Sequence, residues 1–234
     1  MSNDSFKFKQ FTVHQNRCAM KVGTDGTLLG AWVSVPSDSV RILDIGTGTG
    51  LIALMLAQRV PKAMITGIDI DTDAVCQAVE NVEASPFADR IQIVQADVSD
   101  FKAESFDIIV SNPPFFVDSL TCPDNQRTMA RHTASLTYTT LMRSAFKLLT
   151  DKGRFSVIIP FDGRSLLESE ASLAGFIMSR ICAVKTTPNK QPKRFLIEFQ
   201  KLPVFKLDIT EEVIEISPRV KSNWYQDLTK DFYL

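Results

Sequence analysis

The stretch Val40-Arg41-Ile42-Leu43-Asp44-Ile45-Gly46-Thr47-Gly48-Thr49-Gly50 decides the fold. Val40 to Leu43 is a short apolar strand candidate, and the glycines behind it spell a tight turn. Leu51 to Arg59, rich in Leu and Ala, then reads as a helix halted near Pro61. Glycine lets a backbone take unusual dihedrals and approach a ligand closely, while a helix N-terminus offers free N–H groups. A dinucleotide fingerprint would be G-x-G-x-x-G. Here the spacing is G-x-G-x-G, and Leu51 stands where that pattern would need its last glycine. Asp44 ahead of the turn is awkward for a pyrophosphate and suits a ligand that carries an ammonium group.

Outward from this turn, short strands and helices alternate. Ala63 to Ile70, Ile91 to Gln95, Phe106 to Val110 and Phe155 to Ile159 read as strands. Between them, Asp73 to Ala84 and Thr137 to Leu149 have helical composition, with Asp73 as a candidate cap and Gly153 closing the later connection. This exchange predicts an α/β fold with an open, Rossmann-like sheet covered on both faces. After a helix around Leu166 to Phe176 the pattern changes. Ser179 to Thr186 and Phe195 to Lys201 are strands with no crossover helix between them, which predicts an antiparallel hairpin near the C-terminus. Residues 1–34 precede the pattern without a linker. A single domain over 1–234 is expected, with 1–34 as an extension over the active-site region.

The strand ends carry the chemistry, because open α/β sheets bind ligands at their carboxyl edge. Asp69, followed by Ile70, could accept hydrogen bonds from both hydroxyls of a ribose. Asp97, with the Val98 backbone beside it, could receive an adenine amino group. Turn and capping roles remain the simpler alternatives for both carboxylates. Asn112-Pro113-Pro114-Phe115 follows the strand ending at Val110. The Asn112 side-chain oxygen and the Pro113 carbonyl can each accept a hydrogen from one NH2 group. The two prolines hold those acceptors in extended geometry. Phe115 can stack on a planar target, worth about 1–3 kcal/mol for a base. Two acceptors on an aromatic amine localise its lone pair for attack on a methyl group, so a separate base need not act first. The bland alternative is a proline-terminated strand.

Composition sets bounds on the partners. An apolar fraction of 44% and a charged fraction of 23% are ordinary for a globular chain, and no run approaches the ~20 apolar residues of a spanning helix. The N-terminus lacks a leader-like apolar stretch, so cytoplasmic placement without membrane association is expected. Cys18, Cys76, Cys122 and Cys182 are scattered and read as reduced thiols. With only His14 and His132 in addition, no metal constellation is expected. A net charge of −1 provides no global field for nucleic acid, so local cations must do that work.

With these motifs in place, the chain resembles the class I S-adenosylmethionine-dependent methyltransferases. Their amino-methylating branch carries Asn/Asp-Pro-Pro-aromatic. A closer likeness, to the bacterial family that methylates N6 of adenine 37 in tRNA1(Val), rests on several segments. These are Phe6 to Phe11, Met20 to Gly26, Asn112 to Phe116, Arg131-His132 and Leu228 to Leu234. Many relatives have Tyr where this chain has Phe115, which keeps the stacking surface and loses only the hydroxyl. The resemblance implies a seven-stranded, mostly parallel sheet with a reversed final strand and S-adenosyl-L-methionine as methyl donor. It also implies that Lys21, Thr24 and Asp25 line or cover the donor pocket.

The acceptor is less directly written. Lys185, Lys190, Lys193 and Arg194 cluster in or beside the late hairpin, and Arg127 and Arg131 follow the catalytic loop. Lys7, Lys9, Arg17 and Lys21 extend that surface, and His132 is a further candidate for substrate contact. Together they predict phosphate contacts with a tRNA and require no obligate protein partner. The tetrapeptide alone leaves protein glutamine and DNA adenine open as acceptors. A non-catalytic RNA-binding module on the same fold is the alternative from another class.

Overall fold

The computed structural model describes residues 4–18, 21–35, 40–114 and 136–234. Strands β1 (Ser5–Lys7) and β2 (Thr12–His14) form an antiparallel pair ahead of helix α1 (Thr24–Trp32). Then come β3 (Arg41–Ile45), α2 (Leu51–Arg59), β4 (Met64–Asp69), α3 (Thr72–Glu83), β5 (Ile91–Gln95) and β6 (Phe106–Ser111). Beyond them lie α4 (Tyr138–Leu148), β7 (Leu149–Pro160), α5 (Arg164–Ala174), β8 (Ile177–Lys185) and β9 (Arg194–Gln200). Strand β10 (Asp208–Val213), a small hairpin of β11 (Glu215–Ser217) and β12 (Val220–Lys221), and helix α6 (Asn223–Thr229) complete the order.

The main sheet runs β10-β8-β9-β7-β6-β3-β4-β5. Strands β3 to β7 pair in parallel, whereas β9 is antiparallel to both β7 and β8. The late hairpin expected from the sequence is therefore β8–β9. The implied seven strands fall one short, because β10 adds parallel to β8 at the edge. Its sequence, DITEEV, is largely exposed and acidic, so it lacks the apolar run that betrays a central strand. The register β10 keeps is reinforced by the Lys185–Glu211 ion pair at 2.6 Å.

Burial on both faces explains the apolar central strands. Ile42 and Leu43 are adjacent, point to opposite faces, and are both buried. One face packs under α1 and α2 through Leu28, Leu29, Leu54 and Met55, and the other under α4 and α5 through Leu141, Met142 and Leu167. Each such side chain contributes roughly 1.5–3 kcal/mol on burial. The two chain ends also join the first cluster. Phe8 stacks on Phe11 and Tyr233, and the Lys9 amide donates to the Phe232 carbonyl at 2.9 Å.

Two local expectations change. Asp71, not Asp73, caps α3: it has extended dihedrals, and its carboxylate accepts from the Asp73 and Ala74 amides. Gly153 does not end a connection but lies within β7. There the register with β6 jumps from Phe106↔Leu149 to Ile108↔Arg154. A Cβ on Gly153 would come within 2.8 Å of the Leu149 side chain, so a larger residue at this bulge would force that side chain to move. Because Asp71 alone supplies the cap, Asp71→Ala should cost about 1 kcal/mol in denaturant unfolding, whereas Asp73→Ala should cost only a few tenths.

Candidate active site

Strand polarity gathers the site at one edge. β3 and β6 are neighbours in the middle of the sheet, with Ile45 opposite Ser111, so the chains leave them side by side as Gly46 and Asn112. The Ser111 hydroxyl donates to the Ile45 carbonyl at 2.9 Å and fixes that pairing. This is the switch point, where the order turns from β4 and β5 on one side to β7 on the other. The reversed β9 begins at the same edge, with Arg194 opposite Pro160. Both β8 and β10 end there, and the Ile214 and Glu215 amides donate to Lys185 and Thr186 at 2.9 and 3.0 Å. The result is a cavity of about 460 Å³ walled by the glycine turn, Lys21 to Gly26, Asn112 and these late segments.

The turn is pinned from below. The Gly46 and Thr47 amides donate to the Ile68 carbonyl at 2.9 and 3.0 Å, and the Gly48 amide donates to Asp69 Oδ2 at 2.9 Å. Gly48 has φ +55° on the cavity wall, with open space where a Cβ would stand, so a side chain there would strain the turn and intrude on a ligand. Gly46 also lines the cavity. Gly50 does not: at φ +80° it starts α2, and a Cβ there would meet Ala78 of α3 at 3.5 Å.

Asp44 also lies off the wall. It is fully buried beneath the turn, where Thr47 Oγ1 donates to its Oδ2 at 2.7 Å and Oδ1 has no hydrogen-bond partner among the described residues. Burial pushes its carboxyl up to about 7, partly opposed by the Thr47 hydroxyl and the nearby Ala53 amide and aided by Asp69. Asp44 therefore reaches the cavity wall through Thr47, which lines it.

Asp69, Ile70, Asp97 and Val98 lie at adjacent strand ends but outside that cavity wall. Asp69 keeps partial exposure while taking the Gly48 and Asp71 amides on its two oxygens. Ile70 is exposed, Asp97 folds its carboxylate onto the Ser99 amide at 2.8 Å, and Val98 is part of the core. These groups form an open shelf beside the cavity.

At the other end, Asn112 lines the cavity, and its Oδ1 is buried without a hydrogen-bond partner among the described residues. An orphaned carboxamide oxygen at a cavity wall is a hydrogen-bond acceptor held ready for a ligand donor. Pro113 is buried and Pro114 half-buried. Phe115, Arg127, Arg131 and His132 lie outside the described residues, as does Cys122. Cys18, Cys76 and Cys182 are free thiols. The residues present fit the sulfonium donor implied by the resemblance: a glycine turn open to close approach, a part-exposed carboxylate at Asp69 next to that turn, and an acceptor at Asn112.

The basic cluster divides. Arg194 pairs with Asp25 at 2.7 Å across the cavity wall, both side chains about three-quarters covered. Arg17 pairs with Glu80, Lys185 with Glu211, and Lys9 donates to the Lys230 carbonyl. Each of these cations is already engaged within the chain. Lys190 and Lys193 are exposed at the hairpin tip, as are Lys21 and Thr24 on the N-terminal segment. Lys193, Lys21 and Thr24 line the cavity, and Lys190 does not.

Comparison with known proteins agrees with this geometry. Residues 21–162 match the model of the methyltransferase small domain. The tRNA1(Val) (adenine(37)-N6)-methyltransferase of Phocaeicola vulgatus is 53% identical over 100% of this chain and 99% of its own length. That of Tolumonas auensis is 43% identical, over 100% of this chain and 98% of its own. The chain belongs to the methyltransferase small domain family. The crystal structure of a predicted O-methyltransferase from Agrobacterium tumefaciens has the same fold, with a TM-score of 0.68 at 20% identity, covering 89% of this chain and 96% of that one. Among the described residues no group of three His, Cys, Asp or Glu could hold a metal ion, and no helix is long and apolar enough to cross a membrane.

On the family fold, sequence reasoning overlooked Asn81. This residue of α3 is fully buried. Its Nδ2 donates to the His14 carbonyl at 2.8 Å and to the Thr49 carbonyl at 2.9 Å, while its Oδ1 accepts from the His14 amide at 2.8 Å. One side chain thereby ties the N-terminal segment to the glycine turn. Gln15 extends the tie by accepting from the Val22 amide at 2.7 Å, next to Thr24 and Asp25. A polar residue inside an apolar helix face was the available signal. Glu215 and Lys221, paired at 2.9 Å on the cavity wall, gave none, because strand polarity alone brings them there.

Two outcomes follow from these placements. Asn81→Ala strands buried backbone groups worth roughly 1–3 kcal/mol, so it should lower stability and weaken methyl-donor binding about tenfold in calorimetry. For Asp44 the folded carboxyl binds its proton more tightly than the unfolded one. Its stabilising share is therefore full below about pH 4 and is lost as pH rises towards about 7. Asp44→Asn should remove that slope from the ligand-free unfolding free energy measured across the same window.

Proposed function

We propose that the chain transfers a methyl group from S-adenosyl-L-methionine to N6 of adenine 37 in tRNA1(Val), beside the anticodon. The observation that carries this reading is the buried Asn112 oxygen at the end of the cavity, without a partner among the described residues. The names of full-length relatives at 43% and 53% identity supply the particular nucleotide and tRNA.

When bound, the donor supplies a methyl group on a positively charged sulfur and leaves as S-adenosyl-L-homocysteine. Asn112 Oδ1 accepts one hydrogen of the adenine amine, and the Pro113 carbonyl accepts the other. Both are fixed before substrate arrives, so they stabilise positive charge growing on the nitrogen without reorganising. Once methylated, the nitrogen is acidic and releases its extra proton to water, which dispenses with a dedicated base. Phe115 covers the target ring, and Lys190 and Lys193, with Arg127, Arg131 and His132, meet the RNA.

Lys21, Thr24 and Asp25 border the donor, with Asp69, Ile70, Asp97 and Val98 on its adenosine side. Arg194 contributes by holding Asp25 in place. Residues 1–234 work as one methyltransferase unit in which 1–34 cover the site. An anticodon-loop adenine lies outside regular duplex, so it enters at low cost, and a tRNA substrate sets the work in the cytoplasm.

Asn112→Ala should reduce kcat on tRNA1(Val) at least about 100-fold, with the donor dissociation constant changed less than about threefold in equilibrium dialysis. Turnover near that of the unmodified protein would remove Asn112 from the chemistry.

A further inference from the structure

β7 runs into a single turn, Phe161-Asp162-Gly163, whose first residue has no part in the chemistry above. Phe161 is 48% exposed. Its ring stacks on the buried Phe195, with centroids 5.7 Å apart and planes 28° from parallel. One face is therefore seated, and the exposure falls on the opposite face and edge.

The ring is held rigidly. The Phe161 amide donates to the Lys193 carbonyl at 3.2 Å, and Pro160 pairs with Arg194 in the sheet. The Arg164 guanidinium stands 4.8 Å over the same Phe195 ring and is itself tied to Glu168 at 2.6 Å. Gly163 presses against Tyr138, whose hydroxyl would lie 2.6 Å from any Cβ built there.

The position is what gives this ring a use. Lys193, to which Phe161 is bonded, lines the cavity, and β7 lies directly beside β6, whose end presents Asn112. Lys190 and Lys193 are exposed on the same rim, and neither ammonium has an ion-pair partner among the described residues. A flat apolar face whose backbone is hydrogen-bonded to Lys193, with Lys190 in the same exposed hairpin tip, matches a nucleobase with a neighbouring phosphate.

We propose that Phe161 is a stacking platform for the nucleobase adjacent to the target adenine, with Lys190 and Lys193 taking the neighbouring phosphates. This rests on the RNA-methylating reading above. Drawing one base into the cavity takes a stacking partner from its neighbour in the loop, and the open face of Phe161 replaces it. The platform thus favours a target base that has a stackable neighbour in a single-stranded loop, and it adds a specificity element outside the Asn-Pro-Pro-Phe motif.

The test uses the full-length protein and anticodon stem–loop RNAs carrying the fluorescent base 2-aminopurine on either side of the target adenine. The unmodified protein should transfer methyl to the RNA and quench one of the two probes on binding. Phe161→Leu should abolish that quenching and raise the RNA KM about tenfold, roughly one stacked base. The donor KM and the thermal midpoint should not move, and Phe161→Trp should retain both quenching and RNA KM. If the unmodified protein methylates RNA but Phe161→Leu keeps its quenching and RNA KM, the platform is wrong and the methylation reading stands. If the unmodified protein transfers no methyl to RNA, the reading fails and the platform falls with it.

Discussion

The backbone amides of Gly46, Thr47 and Gly48, tied to the end of β4, are the constraint on which the rest of the site depends. They fix where β3 ends and where α2 begins. Through the Thr49 carbonyl, Asn81 passes the same constraint to β2 and so to the segment that covers the cavity. Asp44, buried below, meets the turn through Thr47. The glycine turn and the N-terminal segment on the cavity wall are thus held by main-chain hydrogen bonds and the buried side chains of Asp44 and Asn81. Each is costly to leave unpaired.

Charge on the cavity wall is arranged differently. Asp25 with Arg194, and Glu215 with Lys221, are paired, so neither pair adds net charge to the wall. Beside these pairs the neutral Asn112 Oδ1 lies buried at the wall, without a partner among the described residues. A fixed acceptor suits an amine that turns cationic during the reaction, because it orients the nitrogen and stabilises the charge without reorganising. Unpaired cations stay at the wet rim, where Lys190 and Lys193 can meet phosphates in a salt-sensitive way.

Much of this was legible in the chain. Residues 51–59 and 91–95 announce their helix and strand because apolar runs end at proline or polar turns, and those elements are observed there. The strand-end positions of Gly46, Asp69 and Asn112 followed from the same alternation. What stayed hidden has physical reasons. β10 is acidic and exposed, so no pattern of apolar residues marks it. Asp71 and Asp73 are equally good caps by composition, and only the backbone decides between them. The roles of Arg194 and Lys185 depend on partners about 169 and 26 positions away in the chain, which no local motif encodes.

The central claim is that this site methylates an adenine amine in tRNA, and nucleoside mapping tests it most directly. The protein would be incubated with labelled S-adenosyl-L-methionine and separate tRNA, DNA and protein fractions, and the modified residue then identified. Label in N6-methyladenosine beside the anticodon of tRNA1(Val) is the expected result. Label confined to protein glutamine or to DNA adenine would contradict it.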